Sequence, residues 1–360
     1  MQPGVLLADL ADDAAEKGLM YAPDPGERFA TLGGNVSTNA GGMRAVKYGT
    51  TRDAVRAMTV VLPTGEICNF GSNVTKDSSG YSLLNLMIGS EGTLGIITEL
   101  TLQLLPQPKE YMTLIIPYAD LETCISTVPK IFMNHLEPQS IEFMERDIVE
   151  SSERYLGKQV FPKTVNGVDV QAYLLVTFDG PSEEDLEPVV ERAAELFYEN
   201  NAVDVLVADE PSKKREVREA RGSFLEAISA ETKLLDECDV VVPINKIAEY
   251  MSYIKEIEKE ADLTVKSFGH AGDGNIHIYT CSNDLEEEEF KRRVHIFMTK
   301  AYHKATEFGG LVSGEHGIGF GKIDYLKKSL GETNIRLMQE IKKVFDPNLI
   351  LNPGKVCHKL

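Results

Sequence analysis

The chain has 360 residues, 42% of them hydrophobic and 26% charged, a globular composition long enough for two domains. Its formal net charge of −19 excludes a nucleic-acid or anionic-membrane partner, because a phosphate-binding surface needs the opposite sign. No apolar run reaches the ~18–20 residues of a membrane span. "MQPGVLLADLADDAAEKG" lacks the basic region and apolar core of a secretion signal, and the five cysteines show no CxxC spacing, so a cytoplasmic, reducing location is expected.

Residues 6–18 carry apolar positions at helical spacing and end on Gly18, which predicts an amphipathic helix. "TLGGNVSTNAGGMRAVKYGTTRD" reads as a glycine- and asparagine-rich loop region, and "AMTVVLPTGEI" as strand, turn, strand. "YSLLNLMIGSEGTLGIITELTLQLLP" predicts a short apolar helix, a glycine loop and a strand, and the prolines at 106 and 108 mark a domain boundary. Beyond it, strands such as "YMTLIIPY", "AYLLVTFDG" and "DECDVVVPI" alternate with acidic amphipathic helices, which predicts an α+β layer with its sheet covered on one face. "TVKSF" and "IHIYT" alternate like half-buried strands and flank "GHAGDGNIH", so this stretch predicts a hairpin that turns His270 and His277 toward each other. A last helix, "ETNIRLMQEIKKVFD", precedes the tail, and no internal repeat is visible.

Three constellations carry chemistry. In "GGNVSTNAGG", residues 33–42, four glycines and two asparagines let backbone amides approach a flat or anionic ligand; ordinary turns are the alternative. "GSEGTLG" at 89–95 is a second such loop, and neither is a dinucleotide GxGxxG turn or a P-loop. His270 and His277 could share a divalent metal completed by Glu315 of "SGEHGIG", with His316 as general base; polar capping of glycine turns is the alternative. In the basic "KKREVREARG", Arg218 or Arg221 could clamp a substrate carboxylate, against the alternative of surface helix charge.

"YAPDPG", "ATLGGNVSTNAGG", "KYGTTRD", "VVLPTGEI", "SGYSLLNLMIGSEGTLGIITELTLQLLP", "GHAGDGNIH", "GGLVSGEHGIGFGK" and "FDPNLILNPGKV" occur in order over nearly the whole chain. Together they resemble the FAD-linked 2-hydroxyacid dehydrogenases, a family that includes the glycolate oxidase FAD subunit, the D-lactate dehydrogenases and D-2-hydroxyglutarate dehydrogenase. The resemblance implies an α+β chain with a vanillyl-alcohol oxidase type FAD domain and a ferredoxin-like cap. Residues 1–108 would be the C-terminal half of the FAD domain, 109–335 the cap with the metal site, and 336–360 a tail returning to the FAD domain. FAD would lie against Pro23, Gly33, Gly34, Asn35, Thr38, Asn39, Gly41, Gly42, Tyr48, Gly49, Glu91, Gly92, Ile97 and Asn352.

By the same resemblance His270, His277 and Glu315 would hold a divalent Zn, Mn or Fe, and His316 would take the proton of the substrate's 2-hydroxyl. Arg218 would meet the substrate carboxylate, and Lys322 would lie near the site. The substrate would be a small 2-hydroxy acid, D-lactate or glycolate, oxidised to the 2-oxo acid. Some relatives carry a lysine where this chain has Glu237, so a second substrate carboxylate is disfavoured. Electrons would pass to a partner: electron-transfer flavoprotein, an iron–sulfur subunit or a quinone. A homodimer is a further expectation. Relatives continue N-terminally of "PGV" with the loop that wraps the FAD pyrophosphate. A rival reading is therefore a non-catalytic metal-binding fragment or scaffold subunit, which needs another chain to complete the FAD site.

Overall fold

The structure, a computed structural model, describes residues 1–357. It divides into two compact units, one made of Met1–Gln107 with the chain from Val312 onward, the other of Pro108–Leu311.

In chain order the first unit contributes α1 (Leu7–Ala15), β1 (Leu19–Met20), α2 (Leu32–Thr38), α3 (Ala45–Tyr48), α4 (Thr51–Ala54), β2 (Val55–Val61), β3 (Ile67–Gly71), α5 (Leu83–Met87), β4 (Ile96–Leu102) and β5 (Leu105–Pro106). The second unit runs through β6 (Glu110–Tyr118), α6 (Leu121–Ser126), α7 (Val128–Met133), β7 (Ser140–Glu145), α8 (Arg146–Leu156), β8 (Thr164–Val165), β9 (Val168–Asp169) and β10 (Ala172–Gly180). It continues with α9 (Glu183–Glu199), β11 (Leu206–Ala208), α10 (Pro211–Gly222), α11 (Phe224–Glu231), β12 (Leu234–Val241), α12 (Ile247–Ala261), β13 (Thr264–His270), β14 (Asn275–Ser282) and α13 (Glu287–Glu307). The chain then re-enters the first unit with α14 (Ile323–Phe345). No helix among the described residues is long and apolar enough to cross a membrane.

The core of the first unit gathers Val36 from α2, Met58 and Val60 from β2, Met87 from α5 and Leu100 from β4. Residues 32–38 form a helix where the composition predicts a loop. Thr31 caps it by accepting from the Gly34 amide at 3.2 Å, and it ends at Asn39 in the left-handed region, φ 55°. Gly33 serves a close approach rather than a turn: a Cβ there would lie 2.6 Å from that of Pro3. The return to this unit comes at Val312, earlier than the expected residue 336. The cause is hydrogen bonding before α14: Glu91 accepts the amides of Ile318 and Gly319, and the Val356 amide donates to the Gly319 carbonyl. The helix expected from Glu332 is the second part of α14, which is broken at Gly331 (φ 79°, ψ 165°).

The second unit is built on one antiparallel sheet of seven strands in the order β11-β6-β10-β7-β13-β14-β12. Its first half follows a β-α-β-β-α-β path, with β6, β7, β10 and β11 in the ferredoxin-like arrangement. The second half repeats it through β12, α12, β13, β14 and α13 to Leu311, which bridges back to Val241. That repeat is one of topology, carried by different side chains, and so leaves no trace in residue identities. Helices cover both faces of the sheet, not one. Ile115, Met144, Tyr173, Leu175 and Phe268 pack with α8, α10 and α11. The alternate residues Leu114, Ile116, Phe143, Leu174 and Val176 are equally buried, and α6 and α9 pack on β6 and β10. Strands buried on both sides lose the polar alternation that would have announced this.

Candidate active site

The hairpin of β13 and β14 is present as expected, closed by the turn at 271–274. His270 pairs with Asn275, so His277, two residues further, is its diagonal neighbour on the same face. Both imidazoles are buried, and their rings meet edge to face with centroids 5.4 Å apart.

Each ring is turned by a carboxylate on a neighbouring strand. Glu142 of β7 stands directly opposite His270 in the ladder, with Oε1 2.7 Å from His270 Nδ1. Glu237 of β12 places Oε1 3.2 Å from His277 Nδ1. A neutral imidazole that donates Nδ1–H to a carboxylate carries its lone pair on Nε2, the arrangement found at metal-ligating histidines.

Glu142 is fully buried and receives Nε and Nη2 of Arg221 at 2.9 and 2.6 Å. Burial alone would raise its carboxyl, but His270 and Arg221 outweigh that and hold it below the usual carboxylate range. The Arg221 guanidinium also lies 4.6 Å over the Phe268 ring and 5.3 Å over that of Phe224. Arg218, one turn earlier on α10, is exposed. Arg221 and His270 thus share the carboxylate of Glu142.

Gly274 fixes the hairpin. Its φ is +87°, and a Cβ would lie 2.0 Å from the Val242 carbonyl oxygen. Gly274→Ala is expected to destabilise the second unit by about 2 kcal/mol or more, through backbone strain and clash together. A lower denaturation midpoint measures it; an unchanged midpoint would show that the turn has no such constraint.

In the first unit, Glu315, His316 and Lys322 lie on the segment between Val312 and α14, with Lys322 at its N-cap. Glu315 is half-buried and closely approached by Gly41: a Cβ on Gly41 would stand 3.0 Å from Glu315 Oε2. His316 is more open, with 44% of its side chain exposed. The expected cofactor residues also fall in this unit. Gly33, Gly34, Asn35 and Thr38 are on α2, Asn39 is its C-cap, and Gly41 and Gly42 follow. Pro23 is buried ahead of α2, Tyr48 and Gly49 end α3, Glu91 and Gly92 follow α5, Ile97 is on β4 and Asn352 is in the tail.

Residues 107–356 match the family "FAD linked oxidases, C-terminal domain", and residues 1–71 match "FAD binding domain". A D-lactate dehydrogenase of Anaerostipes hadrus is 66% identical over 360 residues, covering all of this chain and 76% of that protein. The glycolate oxidase subunit GlcD of Bacillus subtilis is 37% identical over 362 residues, covering all of this chain and 75% of that protein. This chain belongs to the FAD-linked 2-hydroxyacid dehydrogenases. Among solved structures, alkyldihydroxyacetonephosphate synthase superposes with a TM-score of 0.69 at 17% identity, over 99% of this chain but only 64% of that one. The fold is of the vanillyl-alcohol oxidase type.

Membership in this dehydrogenase family names FAD as the cofactor, and the first unit fits one. Asn35 is 4% exposed and its Nδ2 has no hydrogen-bond partner, an unsatisfied donor that a polar cofactor atom would relieve. Other expected cofactor residues are engaged by the chain itself. Asn39 Oδ1 accepts from the Arg52 amide at 2.9 Å and from Thr50 Oγ1 at 3.1 Å. Gly49 leaves room for the Asp53 carboxylate, which would lie 2.3 Å from a Cβ there. Sequence reading missed Glu142; its signal was a lone acid in the apolar run "IEFM".

Proposed function

We propose that the chain is the catalytic and cap portion of an FAD- and divalent-metal-dependent dehydrogenase. It would oxidise a small 2-hydroxy acid, D-lactate or glycolate, to the 2-oxo acid. The observation that carries this reading is the pair of buried imidazoles, each with Nδ1 turned to a carboxylate and Nε2 thereby assigned to a ligand.

His270 and His277 hold the metal through Nε2, with Glu315 as the third ligand that its motif implies. Zn, Mn and Fe all suit two imidazoles and a carboxylate. The metal, when bound, supplies the Lewis acidity that makes a coordinated hydroxyl easier to deprotonate. FAD, when bound, supplies the acceptor for the hydride from C2.

The chain's own residues do the rest. His316 takes the proton of the 2-hydroxyl. Arg218, exposed on α10, offers positive charge to the substrate carboxylate, Lys322 lies near the site, and Arg221, one turn further along the helix, is held on Glu142. Glu237 keeps a negative charge beside His277 and so disfavours a second carboxylate on the substrate. Electrons leave for a redox partner, an electron-transfer flavoprotein, an iron–sulfur subunit or a quinone, and a homodimer is compatible with the reading. The five free cysteines suit a reducing, cytoplasmic compartment.

The test is an absorption spectrum of the purified chain reconstituted with FAD and a divalent metal, before and after anaerobic D-lactate. A flavin band that bleaches is expected. A bound flavin that D-lactate and glycolate both leave oxidised would sink the reading.

A further inference from the structure

We propose that Glu91 is a positioning residue for the segment that carries Glu315 and His316, a role that rests on the reading of His316 as the base. Its carboxylate accepts the amides of Ile318 and Gly319, each at 2.7 Å, one on each oxygen. Its own amide donates to the Ser37 carbonyl of α2 at 2.7 Å, and its carbonyl accepts from Asn352 Nδ2 at 2.6 Å. One residue thus ties α2, the turn after α5, the histidine segment and the tail within a single unit.

Three observations show that the chain is built around this residue. Glu91 sits at φ +52°, a backbone that glycine adopts freely and glutamate does not. Gly317, immediately after His316, has φ +80°, and a Cβ there would come within 2.8 Å of Glu91 Oε1, so glycine is what lets the carboxylate reach the amides. The tail is itself anchored. Lys342, 3% exposed, donates to the Thr93 carbonyl at 2.7 Å, to the Leu351 carbonyl at 2.8 Å and to Asp346 at 2.5 Å. Two charge-assisted bonds from consecutive amides fix a loop more stiffly than neutral ones, and they do so two and three residues beyond His316. Glu91 touches the loop, not the reacting atoms, and its function is to hold the imidazole in one place.

The test is Glu91→Gln in the full chain. An amide can accept only one of the two N–H groups and turns its own NH₂ toward the other. Amide hydrogen exchange of the 313–319 peptide is expected to accelerate on the order of ten-fold or more while α14 keeps its protection. In the reconstituted enzyme kcat is expected to fall on the order of 10–100-fold with KM little changed, as for a displaced catalytic group. Unchanged exchange at 313–319 overturns the proposal, and so does faster exchange with an unchanged kcat in a protein that His316→Ala inactivates. If His316→Ala keeps full activity, it is the base assignment that fails, and the exchange result still decides whether Glu91 holds the loop. Should E91Q lose protection throughout the first unit, Glu91→Asp keeps the charge but shortens the reach by one methylene, so that the carboxylate can no longer meet both amides. The same peptide must then loosen, and its remaining as protected as in the native chain overturns the proposal.

Discussion

His316→Ala is expected to lower kcat by about 10²–10⁴-fold, the range a positioned general base contributes. The fold and the metal content should stay as they are. His316 lies on a glycine-rich segment with 44% of its side chain exposed, so truncating it removes little packing. The backbone around it is held by Glu91 through the Ile318 and Gly319 amides, which the substitution leaves in place. Steady-state kinetics with D-lactate and an artificial acceptor, paired with elemental analysis for the metal, measure both halves. A variant with native kcat would assign the proton to another group. Lost metal alongside lost activity would make His316 a ligand instead.

The sequence carried the elements far better than their environment. The hairpin at 264–282 was legible because its strands alternate and its turn is glycine-rich, and the register then brings His270 and His277 together without further instruction. The helix at 32–38 was not, because glycines at 33 and 34 argue for a loop. What makes them helical is a tertiary contact with Pro3 and a cap from Thr31, neither visible in composition. The second helical layer on the sheet was hidden for a related reason. Strands such as "SIEFME" are buried at every position, and a continuous run does not say which side is covered. Which arginine pairs with a strand carboxylate was not legible. Arg218 and Arg221 are equivalent as letters on a basic helix, and only the position of Glu142 on a strand far away in sequence selects Arg221. Side chains that orient other side chains are set by tertiary register, and motifs record the ligands but not what turns them.

Removing Glu142 separates those two roles. Glu142→Ala leaves the buried Arg221 guanidinium without its carboxylate and is expected to cost about 3–5 kcal/mol of stability, the usual result of breaking a buried ion pair from one side. Glu142→Gln keeps an acceptor of similar shape, so a smaller loss is expected from it. Its neutral amide orients His270 Nδ1 less strongly, and metal affinity should fall about 10–100-fold. A double replacement, Glu142→Leu with Arg221→Met, removes both charges at once. Paired apolar substitutes for a buried ion pair are often neutral for folding, so this variant should regain much of the stability lost in E142A. It should not regain the metal, because the carboxylate that orients His270 Nδ1 is then gone. Denaturant unfolding and metal titration read the two quantities independently. If the double variant binds metal as tightly as the native chain, Glu142 is a counter-ion for Arg221 and nothing more. If it folds well and binds poorly, the buried charge is kept for the orientation of His270, at a site where stability alone would not require it.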